Sequence, residues 1–448
     1  ARQLPAPARL GRPSAPRCPF RRMRPRLLLT ATTDLTYDQR MARTCAALAA
    51  AGYAVTLVGR ELPTSRPLDD RLPYARHRLR CRFHAGKLFY AEFALRLAWW
   101  LLRQPAPAAY GAVDLDTVLP VWLAARLRRR PWVYDAHELF TEVPEVVARP
   151  TVRRVWRWIE AFAVPRATRC YTVGRALADV FRERYGRVFG VVRNVPILEG
   201  ERERGGQGGE KQAVQRDAEQ ETSPLPPPSS HPSTLSPFYP ATLPPSPLPA
   251  PSSHPSTLLP FYPFTLLYQG ALNVGRGLEE LLDALPLVDA AARLIICGEG
   301  DLSAALRARV AADPALAARV EFRGFVVPAE LRALTRTVRV GTMLLRNHGL
   351  SYYYSLANKF FDYVQAGVPQ VCIDFPEYRA LNAEHEVAVL VPDLAPATLA
   401  AALNRLLRDD TEHRRLAENC ARAAHVWNWE REQAEVVRIF GEAVAAGE

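Results

Sequence analysis

Lysine is nearly missing from this chain. Of its 58 lysines and arginines only Lys87, Lys211 and Lys359 are lysines, so arginine is written almost wherever a cation serves and each remaining lysine asks for a local reason. Long apolar runs are missing as well. None reaches the roughly 18 residues needed to cross a bilayer, although 48% of the 448 residues are hydrophobic. The seven cysteines (18, 45, 81, 170, 297, 372 and 420) form no CxxC pair. That scatter speaks against zinc and reads as reduced thiols in a cytoplasmic protein. No glycine stands between Leu27 and Gly52, which excludes a glycine-rich dinucleotide fingerprint in the first strand-to-helix turn.

The charge that is present is unevenly divided. Residues 1–198 carry a net +20 and the remainder a net −8, giving the overall +12. A basic first half suits an anionic partner such as a phospholipid surface, a phosphorylated acceptor or nucleic acid, and is also what arginine drift on a solvated surface gives. No stacking or groove-reading motif accompanies the arginines, so nucleic acid is not expected.

Composition divides the chain into four parts. Residues 1–23 are Pro- and Arg-rich without a signal-peptide core, and read as a disordered basic leader, or as an upstream extension with Met23 as the natural start. From Arg24 to residue 198 strand-like and helix-like segments alternate, beginning with "RLLLTA", "YDQRMARTCAALAAAG" and "YAVTLVG". This is a βαβ unit of a parallel, doubly wound sheet. Asp34, Asp38 and Arg40 in its first turn fit helix entry, or an acceptor's hydroxyls or phosphate. "KLFYAEFALRLAWWLLR" (87–103) sets Phe89, Phe93, Leu97 and Trp100 on one stripe, by default a core stripe; the arginines around it leave docking on an anionic membrane open. "WVYDA" delivers His137 and Glu138 at a strand's carboxyl end, where α/β sheets place functional residues. Residues 199–263 form a Pro/Ser-rich tract in which "PSSHPSTLSPFYPATL" recurs as "PSSHPSTLLPFYPFTL". It reads as a long disordered insertion between two domains. Residues 264–448 resume the alternation, and their last helix has to pack on something, with the first domain one choice.

Within the second domain three stretches stand out. "YQGALNVGRG" holds Gly270, Gly275 and Gly277 around Arg276, and "CGEG" holds Gly298 and Gly300. Such turns let backbone approach a ligand closely, with Arg276 placed to meet phosphate. "GLSYYYSLANKFFDYVQAGVP" (349–369) predicts a helix capped by Ser355, running to Ala366 and stopped at Gly367 and Pro369. Lys359 and Asp362 share one face of it. Free amides, a lysine and a carboxylate in that order suit a nucleoside diphosphate; the same spacing also describes an ordinary amphipathic helix with a solvated Lys and Asp.

The motifs "VYDAHELF", "YQGALNVGRGLEELL", "ICGEGDL" and "SLANKFFDYVQAGVP", in that order, resemble the retaining nucleotide-sugar glycosyltransferases of family 4. The resemblance covers residues 24–198 and 264–446. It implies the GT-B fold: two Rossmann-like α/β domains facing across a cleft. It further implies that Arg276 and Lys359 hold the donor diphosphate and that Asp362 hydrogen-bonds the ribose. Gly298 to Gly300 would line the base, and His137 would reach the donor sugar from the first domain. Gly270, Gly275, Gly277, Ser355 and Asn358 complete the expected donor site, with no metal and no cofactor other than the nucleotide-diphosphate sugar itself. Family members often carry two glutamates eight positions apart; Tyr354 and Asp362 stand there here, and some subgroups share the Asn358-Lys359 pair.

The expected function is thus sugar transfer with retention onto a glycan or lipid-linked acceptor in cell-surface polysaccharide synthesis. The cytoplasm, or the inner membrane face with peripheral contact to anionic lipid, is the expected place. No protein nucleophile is named, and Glu138 is a candidate base. Two other readings remain at this stage: a nucleotide-sugar epimerase of similar shape, and a silent nucleotide-sugar-binding or scaffold module.

Overall fold

A computed structural model describes residues 24–36, 38–68, 71–198 and 264–447; the leader and the linker expected from the sequence lie outside the described residues. Seven strands form the first sheet: β1 (Arg26–Thr30), β2 (Ala54–Glu61), β3 (Ala75–Arg80), β4 (Ala109–Val113), β5 (Trp132–Ala136), β6 (Arg169–Thr172) and β7 (Gly190–Val191). They lie in the order β3-β2-β1-β4-β5-β6-β7, all parallel. Six more form the second: β8 (Thr265–Gln269), β9 (Arg293–Cys297), β10 (Val320–Gly324), β11 (Val340–Met343), β12 (Gln370–Ile373) and β13 (Ala388–Val391). Their order is β10-β9-β8-β11-β12-β13, again parallel. The chain is therefore two Rossmann-like α/β domains, the GT-B architecture. Central strands such as "LLLT" and "LIIC" are continuous apolar runs because helices cover both faces of a parallel sheet.

Strand β3, "ARHRLR", is not visible as a strand in the sequence. It is an edge strand, where arginines serve to block further pairing. Strand β7 is shorter than "FGVVRNV" suggests. The residues after it turn their amides to the last helix instead: Arg193 N–H donates to Glu432 at 2.7 Å and Leu198 N–H to Glu430 at 3.2 Å. A helix at Pro376–Glu384, between β12 and β13, also escaped the sequence reading.

Handedness decides which helix covers which face. The step β1 to β2 and the step β3 to β4 run in opposite directions along the sheet, so right-handed crossovers put their helices on opposite faces. Helices Gly86–Arg103, Val118–Arg128 and Pro150–Ala163 form one layer, and Gln39–Ala50 covers the other face. Beside Gln39–Ala50 lies Trp429–Ala445, which leaves the second domain and packs across β4 to β7 of the first.

Two strand glycines admit that crossing helix. A Cβ on Gly111 would stand 3.2 Å from Phe440 Cζ and 3.0 Å from Leu29 Cγ, and one on Gly190 would stand 2.8 Å from Ile439 Cδ1. Gly111→Val should overpack this seam at a cost of about 1–3 kcal/mol. Its thermal melt is expected several degrees below that of the wild type; an unchanged melt would show that the helix is held by something other than this close contact.

Candidate active site

In doubly wound sheets the ligand crevice opens at the carboxyl ends of the strands, where the strand order reverses. Here the reversals fall between β1 and β4 and between β8 and β11, and the residues named from the sequence cluster at those ends.

In the second domain two turns are seated on one another. Gly298 has φ +135°, and a Cβ there would lie 1.9 Å from Gly270 O, so only glycine fits. Gly300 packs in the same way on Leu272 and Asn273, Gly275 on His348 and Tyr352, and Gly277 on Leu344. The close approach these glycines allow is thus first of all to the chain's own atoms, which sets the height of the turn carrying Arg276.

The helix expected from Ser355 starts later. It spans Asn358–Gln365, its N-cap is Ala357 with no side-chain cap, and Gly367 follows it at φ +72°. Ser355 Oγ donates back to Tyr352 O at 2.8 Å, closing a separate turn of helix at Leu350–Tyr353. The chain breaks between the two because Leu356 turns into the core and the Ala357 amide donates to Tyr378 Oη at 3.0 Å. The helix start is consequently left uncapped by its own side chains.

Lys359 is 8% exposed, and its Nζ stands 3.8 Å from the centroid of the Tyr268 ring. Burial, followed by the charge of Arg276, pushes its pKa well below the ordinary lysine value. The Arg276 guanidinium lies 5.3 Å over the ring of Tyr352, and its buried Nε has no hydrogen-bond partner. Among the described residues neither cation has an ion pair. Asp362 shares the side of the helix that faces β8 and accepts from Gln269 Nε2 at 3.1 Å. Asn358 Oδ1 accepts from Asn194 Nδ2 at 2.7 Å, a tie between the domains. Tyr354 lies in an aromatic run, with its ring 5.1 Å from that of Tyr353.

The first domain presents a charged cluster that the sequence only hinted at. His137 Nε2 lies 3.0 Å from Asp135 Oδ2 and 2.8 Å from Arg40 Nε, and His137 Nδ1 lies 3.5 Å from Asp114 Oδ2. Asp114 has a left-handed backbone, φ +53°, and accepts from the His137 amide at 2.9 Å. Burial opposes the imidazolium, but Asp135 and Asp114 outweigh it and raise His137 to about 9. Burial would likewise raise Asp135, yet Arg40 and His137 hold it below the usual carboxylate range. Both ring nitrogens of His137 are thus occupied within its own domain. It is the next residue, Glu138, that feels Arg276 across the cleft: burial and then Asp114 raise it to about 8, with Arg276 pulling the other way. Asp116 accepts from Thr32 at 2.5 Å, its Oδ1 is buried without a partner, and burial followed by Asp114 raises it to about 7.

Of the first-turn polar residues, Asp38 caps helix Gln39–Ala50, Asp34 accepts from Thr36 and Ser65, and Arg40 pairs with Asp135 at 2.9 Å. They serve the domain's own structure, in keeping with the helix-entry reading. Sequence reasoning passed over Asp114, Asp116 and Asp135. The signal for them was "DLD" and "YD" at strand ends, which is hard to weigh because acidic residues are common at helix entries.

Asp116, Glu138 and His137 all have folded pKa values raised above their unfolded ones. Their stabilising contribution is complete below the unfolded values and is lost as pH rises through about 7, 8 and 9. These three groups therefore pull the melting temperature down by a few degrees between pH 6 and pH 9, while Lys359, held below its ordinary value, pulls the other way. Glu138→Gln, which has no proton to lose, should flatten part of that slope. A Glu138→Gln melt whose slope with pH equals that of the wild type would contradict the assignment of Glu138.

Comparison with known proteins bears on the family and the fold. Residues 36–197 match the family model described as glycosyl transferase 4-like domain, and residues 263–409 match that of glycosyl transferases group 1. A phosphatidyl-myo-inositol mannosyltransferase of Mycobacterium leprae (strain TN) is 30% identical over 175 residues. That match takes in 38% of this chain and spans less than half, 44%, of the relative's length. Among solved structures, sucrose-phosphate synthase of Thermosynechococcus elongatus superimposes with a TM-score of 0.66 at 17% identity, over 94% of this chain and 100% of the other. Anabaena Alr3699/HepE, solved in complex with UDP and glucose, gives 0.64 at 14% identity, over 93% and 99%. With two matched domain models in sequence order, a parallel seven-stranded and a parallel six-stranded sheet, and the motifs at their carboxyl ends, the chain belongs to the family 4 type of glycosyltransferases with the GT-B fold.

Proposed function

We propose that the protein transfers a sugar, with retention of anomeric configuration, from a nucleoside-diphosphate donor to a glycan or lipid-linked acceptor in cell-surface polysaccharide synthesis. The observation that carries the donor half is the pair Arg276 and Lys359, two cations near enough for one to depress the other's pKa, with no acid paired to either. Like charges held together in a buried place call for an anion between them. The uncapped start of helix Asn358–Gln365 adds amide donors and the positive end of its dipole. The nucleotide complexes of Alr3699/HepE, a protein of the same fold, support the choice of a nucleoside diphosphate over a simple anion.

In this reading the diphosphate lies against Arg276 and Lys359, and the charge that grows on it as the glycosidic bond breaks is stabilised by groups already in position. The two cations supply the neutralisation that a metal would otherwise give. Asp362, beside Gln269, takes the ribose hydroxyls. The leaving phosphate oxygen accepts the acceptor's proton on the same face of the sugar, which gives retention without a protein nucleophile. Glu138, raised to about 8, is protonated near neutral pH. It therefore acts as a hydrogen-bond donor to the sugar rather than as a base, in a site where Tyr354 offers no carboxylate.

Calorimetry with UDP, GDP and ADP tests the donor half. One charge-assisted contact is worth about 1.5–3 kcal/mol, so Lys359→Ala and Arg276→Ala should each weaken the preferred nucleotide about tenfold to a hundredfold. Lys359→Arg should not restore binding, because a guanidinium fork does not fit the slot over Tyr268. Binding should also take up a proton, since the diphosphate raises the depressed pKa of Lys359, and affinity should decline as pH rises. Unchanged affinity in both alanine variants would refute the assignment; nucleotide binding without sugar transfer to any acceptor extract would leave a silent binding module.

A further inference from the structure

The helix layer on one face of the first sheet has an outer surface that water does not explain. In helix Gly86–Arg103 the buried residues are Phe89, Phe93, Leu97 and Leu101. At about 100° per residue, Leu88, Leu95 and Trp99 fall within about 40° of one another on the opposite side. Leu95 is 73% exposed and Trp99 57%. The helix is thus apolar on two faces, only one of which meets the core. The neighbouring helices continue the pattern, with Leu123 and Leu127 exposed on Val118–Arg128 and with Val155 and Trp158 exposed on Pro150–Ala163, Trp158 at 63%. Ring contacts tie the three helices into one layer: Tyr90 meets Trp156 at 5.5 Å, Trp122 meets Phe162 at 4.8 Å, and Trp158 stacks on Phe162 at 5.8 Å.

Cations fringe this surface. The three helices carry eight lysines and arginines against two glutamates, one of which, Glu160, is fully buried. Lys87 and Arg96 flank the exposed stripe on either side, and the Arg103 guanidinium lies 3.7 Å over the Trp99 ring. At the start of helix Pro150–Ala163, Arg154 is exposed, while Arg153 and Arg157 are ion-paired with Glu142. Tryptophan and leucine amid long cationic side chains form the arrangement of an interfacial surface: the apolar groups enter the acyl boundary while the cations stay with the headgroups. Scattered single apolar residues would need no explanation, but a contiguous group on one layer does.

We propose that this layer docks the protein on an anionic phospholipid bilayer. The net positive charge of the layer, left after Arg96 pairs with Glu92 and Arg153 and Arg157 with Glu142, selects a bilayer over a neutral apolar partner or a second copy of the same basic face, which would repel itself. No helix among the described residues is long and apolar enough to cross a membrane, so the contact is peripheral. The docking layer adjoins the cleft: the Arg60 guanidinium lies 4.7 Å over Phe89 at the start of helix Gly86–Arg103, and its charge acts on Asp116. An acceptor carried in the lipid would meet the first-domain carboxylates without leaving the surface.

Vesicle co-sedimentation of the full chain tests this without any activity assay, so its outcome is separate from that of the sugar-transfer reading. The chain should pellet with phosphatidylcholine vesicles containing phosphatidylglycerol and much less with phosphatidylcholine alone. Raising salt from about 0.1 M to about 0.5 M should release it, because screening shortens the reach of the arginines. L95S/W99S/W158S should lower the partition coefficient about tenfold or more, and R126Q/R154Q should weaken it on anionic vesicles only. Both variants alter exposed side chains, so their circular-dichroism melts should match the wild type and separate lost docking from lost fold. The proposal is overturned by equal pelleting with both lipids, by full binding of the triple variant, or by a dimer in sedimentation velocity that the triple substitution splits.

Discussion

Keeping Lys359 and Arg276 close together with no carboxylate in ion-pair contact with either is the constraint around which the second domain is arranged. It costs free energy in the empty protein, since burial and the neighbouring guanidinium both disfavour the lysine's charge. Packing on the far side of the helix imposes it. Phe360 and Phe361 are fully buried, with ring centroids 6.1 Å and 5.9 Å from Trp427, and they fix the rotation of Asn358–Gln365 about its axis. With that rotation set, Lys359 can only lie over Tyr268, and Asp362, one turn on, falls beside Gln269 instead of beside the cation. The aromatic core thus keeps an acid away from a place where it would otherwise neutralise the site.

The opposing lobe is held to this arrangement by polar ties and by one apolar seam. Glu377, on the second-domain helix Pro376–Glu384, accepts from the Arg175 and Ala176 amides at 3.1 Å and 2.8 Å, and so caps a first-domain helix that has no cap of its own. Gly174 lets that carboxylate come close, since a Cβ would stand 2.7 Å from the Glu377 carboxyl carbon and push it back. Asn194 to Asn358 and Arg175 to Glu384 (3.1 Å) add further contacts across the cleft. Each polar tie is worth little by itself in water. Together they choose one relative placement of two lobes whose larger adhesion comes from helix Trp429–Ala445.

Much of the architecture was legible in the amino-acid order because its signals are local. Apolar runs such as "LLLT" and "LIIC", broken by amphipathic stretches, say parallel α/β, and the glycine turns with the "NKFFD" helix say which strand ends matter. What stayed hidden was decided by partners far away in sequence. Ser355 has every local feature of a cap, yet its hydroxyl bonds Tyr352, because the start of the helix is set by Leu356 and Tyr378. Strand β3 reads as a charged loop until β2 is placed beside it. His137 sits where a cleft residue should, but Asp114, Asp135 and Arg40 take up its ring, and Glu138 is the residue that responds to the other lobe. No periodicity could distinguish those neighbours, because the difference is three-dimensional electrostatics.

The helix that returns to the first sheet has a bearing on how the chain is made. Its glutamates bond amides some 239 residues earlier, and Phe440 and Ile439 fill the gaps over Gly111 and Gly190. During synthesis the N-terminal lobe must therefore wait on the ribosome with one face of β4 to β7 uncovered until the whole second lobe has been translated. A half-made chain exposes apolar sheet for many seconds at ordinary elongation rates, a state prone to association. Folding of the two lobes is thereby made interdependent in time, and the nascent chain becomes a natural client for a chaperone that shields flat apolar surface.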